Sequence, residues 1–224
     1  MFRFFSQYLH NIKMRETRYA FLKKMPSDFK VLDIGCGSGL NGRVIKSLYS
    51  KAELHGVDIL PSIENSLYEA YHQVDLNDGL LPYPDSYFDA ILFTHVIEHL
   101  HTPLELGSDI RRVLKNGGMI YIEAPNWTSM LVPSFGFRRE QHDPFNFYDD
   151  PSHIKPSSQH GIFEYLSQFC GLEVMEIGIL RNWYRIPFDI PIIIYALIFG
   201  KRGLIVASFW NIFGWCVYGL GRKV

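Results

Sequence analysis

The sequence predicts an α/β protein with a mostly parallel sheet covered by helices on both faces. Two observations carry the prediction. Short apolar runs alternate with amphipathic stretches from Lys30 to Leu180, and one of those runs ends in closely spaced glycines where a helix begins. A length of 224 residues sets the default at one domain with one substantial core.

The elements follow in order. Lys30–Ile34 (KVLDI) reads as a first strand, Asn41–Tyr49 as a helix and Glu53–Asp58 (ELHGVD) as a second strand. Tyr71–Leu76 reads as a third strand and Tyr87–Thr94 as a fourth. Leu104–Leu114 is a helix, and Met119–Ala124 is a fifth strand after the turn Asn116-Gly117-Gly118. Phe163–Cys170 is a helix, and Leu172–Leu180 is a sixth strand. Strands separated by helices pair in parallel. Before this core, residues 2–22 read as a helix, because Phe2, Phe5, Leu9 and Ile12 recur at spacings of three and four. It either packs on the domain and caps its site or lies on a membrane surface. Five prolines between 125 and 157 mark a long irregular segment of the kind that forms lids or binding loops.

Composition narrows the function class. The three cysteines, Cys36, Cys170 and Cys216, are an odd and scattered set, which points to a reducing compartment. Charges run through Met1 to Lys24, so no signal peptide is expected there. The net charge of −1 conceals +5 over residues 1–24, −11 over 25–180 and +5 over 181–224. An acidic body argues against a nucleic-acid partner, and basic ends beside apolar residues suit an anionic membrane surface.

The chemistry is carried by Val31-Leu32-Asp33-Ile34-Gly35-Cys36-Gly37-Ser38-Gly39. Glycines let a ligand approach the backbone and adopt positive φ, and the helix behind them offers free N–H groups. Asp58, closing the second strand, can accept both hydroxyls of a ribose. Residues Gly37 to Gly42 also satisfy the dinucleotide pattern G-x-G-x-x-G, but Gly35 and Cys36 intervene between it and the strand. Asp33 at the strand end is costly to bury without a donor, and an amino-acid ammonium group, through water, would serve.

This run resembles the D-x-G-x-G-x-G motif of class I S-adenosylmethionine (SAM) dependent methyltransferases, and further segments follow in that family's order. Asp75-Leu76 resembles the pair flanking the adenine, and Phe88-Asp89-Ala90-Ile91 resembles the start of strand four. Val96-Ile97-Glu98-His99-Leu100 resembles a run of the small-molecule branch that includes ubiquinone-biosynthesis methyltransferases. Leu114-Lys115-Asn116-Gly117-Gly118 resembles the turn before strand five, with Asn116 in place of proline, and His153 resembles a histidine of the same branch. The resemblance implies a Rossmann-like, seven-stranded, mostly parallel sheet. It implies SAM as cofactor, with contacts from Asp33, Gly35, Cys36, Gly37, Gly39, Asp58, Ile59, Asp75, Leu76, Thr94 and His95. It also implies methyl transfer, where positioning contributes most. A hydroxyl acceptor needs a base, and His99 and His153 are the leading candidates ahead of His95 and His142. Glu98, His99 and His153 lack a metal-ligand spacing in sequence, so no metal site is expected. The competing readings are a non-catalytic SAM- or nucleotide-binding module and a nicotinamide oxidoreductase.

Residues 186–221 depart from the family's ordinary pattern. Gly203–Gly221 is a nineteen-residue stretch without charge, formally long enough for a span. Residues 215–223 instead resemble the family's antiparallel seventh strand. Residues 186–212 then become an apolar helical insertion between strands six and seven, in two pieces near 190–199 and 203–213. Each piece is too short to cross a bilayer, and together they would dip into one leaflet, pack on the domain or form a dimer interface. An apolar acceptor, small or lipid-linked, and a cytoplasmic chain peripheral to the membrane's inner face complete the expectation.

Overall fold

The computed structural model describes residues 17–63, 67–78, 80–132, 134 and 146–224. The expected helix over 2–22 lies outside the described residues as far as Glu16. Beyond it, residues 17–20 are helical and Phe21–Lys24 form a 3₁₀ turn.

The strands are β1 (Lys30–Ile34), β2 (Glu53–Asp58), β3 (Ala70–Gln73), β4 (Phe88–Thr94), β5 (Leu114–Pro125), β6 (Glu173–Ile179) and β7 (Cys216–Arg222). They form one sheet in the order β3-β2-β1-β4-β5-β7-β6. β1 pairs in parallel with β2 and β4, whereas β7 is antiparallel to both β5 and β6. The helices are α1 (Leu40–Leu48), α2 (Pro103–Val113), α3 (Gln159–Glu164), α4 (Ile186–Ile198) and α5 (Arg202–Phe213). The seven strands agree with the sequence reading to within a few residues at their ends. The exception is β5, which begins at Leu114 because Phe88 pairs with Leu114 before the register shifts at the Asn116–Gly118 turn.

The core follows from side-chain alternation along each strand. Val31, Ala90, Leu92, Met119 and Tyr121 face one cluster, which holds Ile45 of α1 together with Tyr19, Phe21 and Leu22. Their neighbours Leu32, Ile91, Phe93, Ile120 and Ile122 face the other, against Ile110 and Val113 of α2 and Ile162 of α3. Both faces are therefore dry, as parallel strands require. Burying Tyr19, Phe21 and Leu22 ties the described N-terminal turn to the domain rather than to a membrane.

A third cluster lies beneath the insertion, where Leu204, Ile205 and Val206 of α5 pack on Leu180 and Trp215. Residues 186–212 are helical on both sides of Gly200, and residues 216–222 are the seventh strand, so Gly203–Gly221 is not a span. Among the described residues no helix is long and apolar enough to cross a membrane.

Candidate active site

β1, β2 and β4 run in parallel, so Asp33, Asp58 and Thr94 arrive together at their carboxyl ends. The glycines after β1 divide the work. Gly35 (φ +69°) has Val96 where a Cβ would stand, 2.1 Å from its Cγ2, so packing requires a glycine there. Gly39 (φ 75°) turns the chain into α1. Gly37 (φ +50°) has nothing within 4 Å of the place a Cβ would take, so the open space above the loop lies there.

Asp58 braces that loop. Gly37 N–H donates to its Oδ2 at 2.7 Å, and Leu60 N–H donates to its Oδ1 at 3.1 Å. Ile59 is exposed beside it and offers an apolar face. Leu76 is buried, while Asp75 is exposed and accepts from Asn77 N–H in its own turn. Cys36 is buried and its thiol is pushed up to about 12 by burial, so it is a packing residue rather than a nucleophile.

Asp33 is buried completely, and the donors it finds are protein groups: Asn41 Nδ2 at 3.0 Å and Tyr68 O–H at 2.7 Å. The hydrogen bond from Asn41 pins β1 to α1. Burial lifts the Asp33 carboxyl to about 6 against these two hydrogen bonds. Asn41 Nδ2 also donates to Thr94 Oγ1 at 3.1 Å, so Thr94 enters the site as part of this bracing.

A second network, absent from the sequence reading, sits where β4 and β5 end. Glu123 is fully buried and receives Arg18 through two hydrogen bonds, Tyr121 O–H at 2.9 Å, and His95 Nε2 at 3.0 Å. Burial pushes the Glu123 carboxyl up, but Arg18 and His95 outweigh it and hold it well below the usual carboxylate range. His95 has φ 56°, a left-handed conformation that a histidine adopts at a cost. Its Nδ1 lies 3.5 Å from Glu98, a buried carboxylate with no hydrogen-bond donor on either oxygen among the described residues. Burial disfavours charge on His95, yet Cys216, Glu123 and Glu98 together raise its pKa well above the usual value. Both ring nitrogens of His95 therefore face carboxylates, and it is a held cation rather than a base. The sequence signals for this network were an acid ending an apolar strand (Met119–Ala124) and an arginine within the basic N-terminal segment. Arg18 is not available to a membrane.

His99 and His153 come together, with ring centroids 4.8 Å apart. His153 Nδ1 lies 2.7 Å from the Phe147 carbonyl, which can only accept, so Nδ1 carries the hydrogen, and the lone pair of the neutral ring is on Nε2, 3.9 Å from Asp150 Oδ2. The ring stacks on Phe147 at 4.6 Å. His99 Nδ1 meets Ser152 Oγ at 3.0 Å. His142 lies outside the described residues. Glu98, His99 and His153 carry ligand atoms all within 4.8 Å of one another. Their donor chemistry, one carboxylate and two imidazoles, is one a divalent cation accepts, although their sequence spacing gave no sign of it. The set His95, Glu123 and Cys216 is equally close. Its carboxylate is already paired with Arg18.

The open space above Gly37, the Asp58 carboxylate beside it and the exposed Ile59 fit a nucleoside with a charged tail, and so fit SAM. Comparison with known proteins agrees. Residues 32–122 match the family model for a methyltransferase domain. A probable SAM-dependent methyltransferase from Mycolicibacterium smegmatis is 31% identical over 117 residues, covering 51% of this chain and 45% of that protein. A ubiquinone biosynthesis O-methyltransferase from Xanthomonas campestris is 30% identical over 129 residues, 54% of this chain and 53% of that protein. The chain spans about half the length of the curated relatives it matches. A SAM-dependent methyltransferase from Archaeoglobus fulgidus superposes with a TM-score of 0.61 at 22% identity, covering 95% of this chain and 93% of that one. A Haemonchus contortus phosphoethanolamine N-methyltransferase in complex with SAM gives 0.62 at 19% identity, covering 93% and 52%. Residues 32–122 thus match a methyltransferase domain, and the chain shares the fold of SAM-dependent methyltransferases.

Proposed function

We propose that this chain transfers the methyl group of SAM to a small or lipid-linked acceptor, on oxygen. The observation that carries the reading is the Gly37 loop, open above and braced by Asp58 at the carboxyl edge of the sheet. When bound there, SAM supplies a methyl group on a sulfonium, which leaves without acid assistance. The Gly37 loop and Asp58 bind and orient the cofactor, with Ile59 and Leu76 flanking the base. Asp33, Asn41 and Thr94 keep β1, α1 and β4 in register beneath it. His153 Nε2, its tautomer set by the Phe147 carbonyl, takes the proton of an acceptor hydroxyl, and His99 beside it receives or relays that proton.

An apolar acceptor suits a site beside an apolar insertion, and the acidic middle of the chain disfavours nucleic acid. The same reading puts the protein in the cytoplasm, touching the membrane's inner face through 186–212. The test is incubation of the purified chain with methyl-labelled SAM and a lipid extract. Label in an organic-soluble product, with the stability of an ether or ester, supports the proposal. Firm SAM binding with no turnover on any fraction would instead support a non-catalytic SAM-binding module.

A further inference from the structure

Of the two apolar helices in the insertion, α4 is the one left without cover among the described residues. Phe188, Ile190, Ile194, Tyr195, Leu197 and Ile198 are all exposed, and Ile198 is the most so at 71%. Asp189 and Ala196 point inward and are fully buried. At about 100° per residue, the exposed apolar positions span roughly 180° of the helix circumference. Asp189, the one charge of α4, is sequestered. It pairs with Arg185 Nε at 3.0 Å and accepts from Asn211 Nδ2 of α5 at 2.6 Å, and Asn211 in turn receives Asn182 N–H at 2.6 Å. This buried polar clip fixes α4 on α5 and leaves the outer half of α4 wholly apolar. α5 is the base, since Leu204, Ile205 and Val206 are buried against Leu180 and Trp215.

What covers α4 is constrained by its shape and surroundings. A packed helix covers a stripe about 100° wide, so a second copy of α4 would leave much of the exposed arc in water. Acyl chains conform to any arc. The flanks have the chemistry of a membrane interface: Trp183 and Tyr184 are exposed just before the helix, and Lys201 and Arg202 follow it. Besides the buried Arg185–Asp189 pair, the insertion from 181 to 214 carries Arg181, Lys201 and Arg202 and no acid. We propose that α4 alone lies in one leaflet of an anionic membrane, parallel to its plane, with Trp183 and Tyr184 at the headgroups and α5 holding it to the domain. At about 1.5 Å per residue its thirteen residues extend roughly 20 Å, less than the ~30 Å hydrocarbon core, so it embeds without crossing. The insertion leaves β6 and returns through β7 at the edge of the sheet where Gly37 and Asp58 lie, so the embedded helix brings the acceptor side of the site to the lipid surface.

This deepens the membrane part of the proposed function and is independent of methyl transfer. The full-length protein is sedimented with vesicles of phosphatidylglycerol and phosphatidylcholine, or of phosphatidylcholine alone. Wild type is expected to bind the anionic vesicles, with binding weakened by salt. Ile194→Glu with Leu197→Glu should lower that binding at least about tenfold, with SAM affinity and circular dichroism unchanged. Because Cys36, Cys170 and Cys216 are buried, a polarity-sensitive dye on Ile194→Cys reports the helix selectively. Its emission should shift to the blue on anionic vesicles, and that of Lys51→Cys should not. No binding at any salt concentration, unaltered binding by the double variant, or an unshifted dye at 194 overturns the proposal. A lipid-free dimer that the double variant dissolves would show that a second copy is the occupant. Loss of SAM binding in wild type would count against the methyltransferase reading alone.

Discussion

Glu123→Gln tests whether the buried network between β4, β5 and the N-terminal turn is the ionic clamp its geometry describes. The substitution keeps shape and removes one charge. Arg18 then remains almost wholly buried without its counter-charge, since its side chain is 11% exposed and that of Glu123 0%. Breaking a buried pair from one side costs about 3–5 kcal/mol, because the remaining charge is desolvated and unpaired. For a chain of this size each kcal/mol moves the midpoint by about 2–4 °C, so the melting temperature should fall by roughly 6–20 °C. Arg18→Leu alone should cost a similar amount. The double variant should cost less than the sum of the two by more than about 1 kcal/mol, the signature of direct coupling. The depressed Glu123 pKa sets the direction of the pH dependence. Its stabilisation is fully present above the unfolded carboxyl value of about 4.5 and is lost as pH falls below it, so variant and wild type should converge in acid. Thermal unfolding at pH 7 and at pH 3.5, followed by circular dichroism, measures all of this. A Glu123→Gln protein melting within about 2 °C of wild type at pH 7, or additive single variants, would refute the clamp; this threshold is about 1 kcal/mol.

Three further outcomes are expected. His153→Ala and His99→Ala should each lower turnover by about 10²–10⁴-fold on a hydroxyl acceptor, with SAM affinity unchanged in calorimetry; a parallel fall in affinity would make them structural. Asp33→Asn should gain stability relative to wild type by on the order of 2–3 kcal/mol between about pH 4 and pH 7. The raised pKa of about 6 gives the direction: the wild-type acid is neutral below about 4 and carries a buried charge above 6, so its contribution is lost as pH rises. A pH-independent difference in urea titrations would contradict it. Gly35→Ala should destabilise by about 2–4 kcal/mol, from the positive φ and the 2.1 Å approach to Val96, and Val96→Ala should restore part of the loss; wild-type melting of the single variant would show that the loop yields freely.

The sheet was legible because its signals are local. Each strand is a short apolar run, and the pause at Gly35-Cys36-Gly37 gives the register of the nucleotide loop. Residues 215–223 were recognisable as the seventh strand by their place in the order of the family. The roles of individual motif residues were less legible, because they depend on atoms distant in sequence. Gly35 answers to Val96, Asp33 to Tyr68, and Glu123 to Arg18, and spacing carries none of these pairings. Charge tallies misled for the same reason. Arg18 and Arg185 count as basic surface in the sequence, but one is clamped by Glu123 and the other by Asp189. Lys223 donates to the backbone carbonyls of Arg111 and Leu114. The insertion was placed correctly between strands six and seven, but its two apolar pieces look equivalent in sequence. Only packing reveals that α5 is covered and that α4, among the described residues, is not. His99, His153 and Glu98 gave no metal spacing because a loop from another part of the chain brings them together.

The central claim is that the Gly37 loop and Asp58 hold SAM for methyl transfer, and calorimetric titration of SAM into wild type, Asp58→Ala and Gly37→Val tests it most directly. Wild type should bind one equivalent. Asp58→Ala should weaken binding by about 1.5–3 kcal/mol through the loss of charge-assisted hydrogen bonds to the ribose. Gly37→Val should bind no SAM, because its side chain fills the open space above the loop. Equal SAM affinity in all three proteins, or binding of a nicotinamide dinucleotide in place of SAM, would contradict the claim.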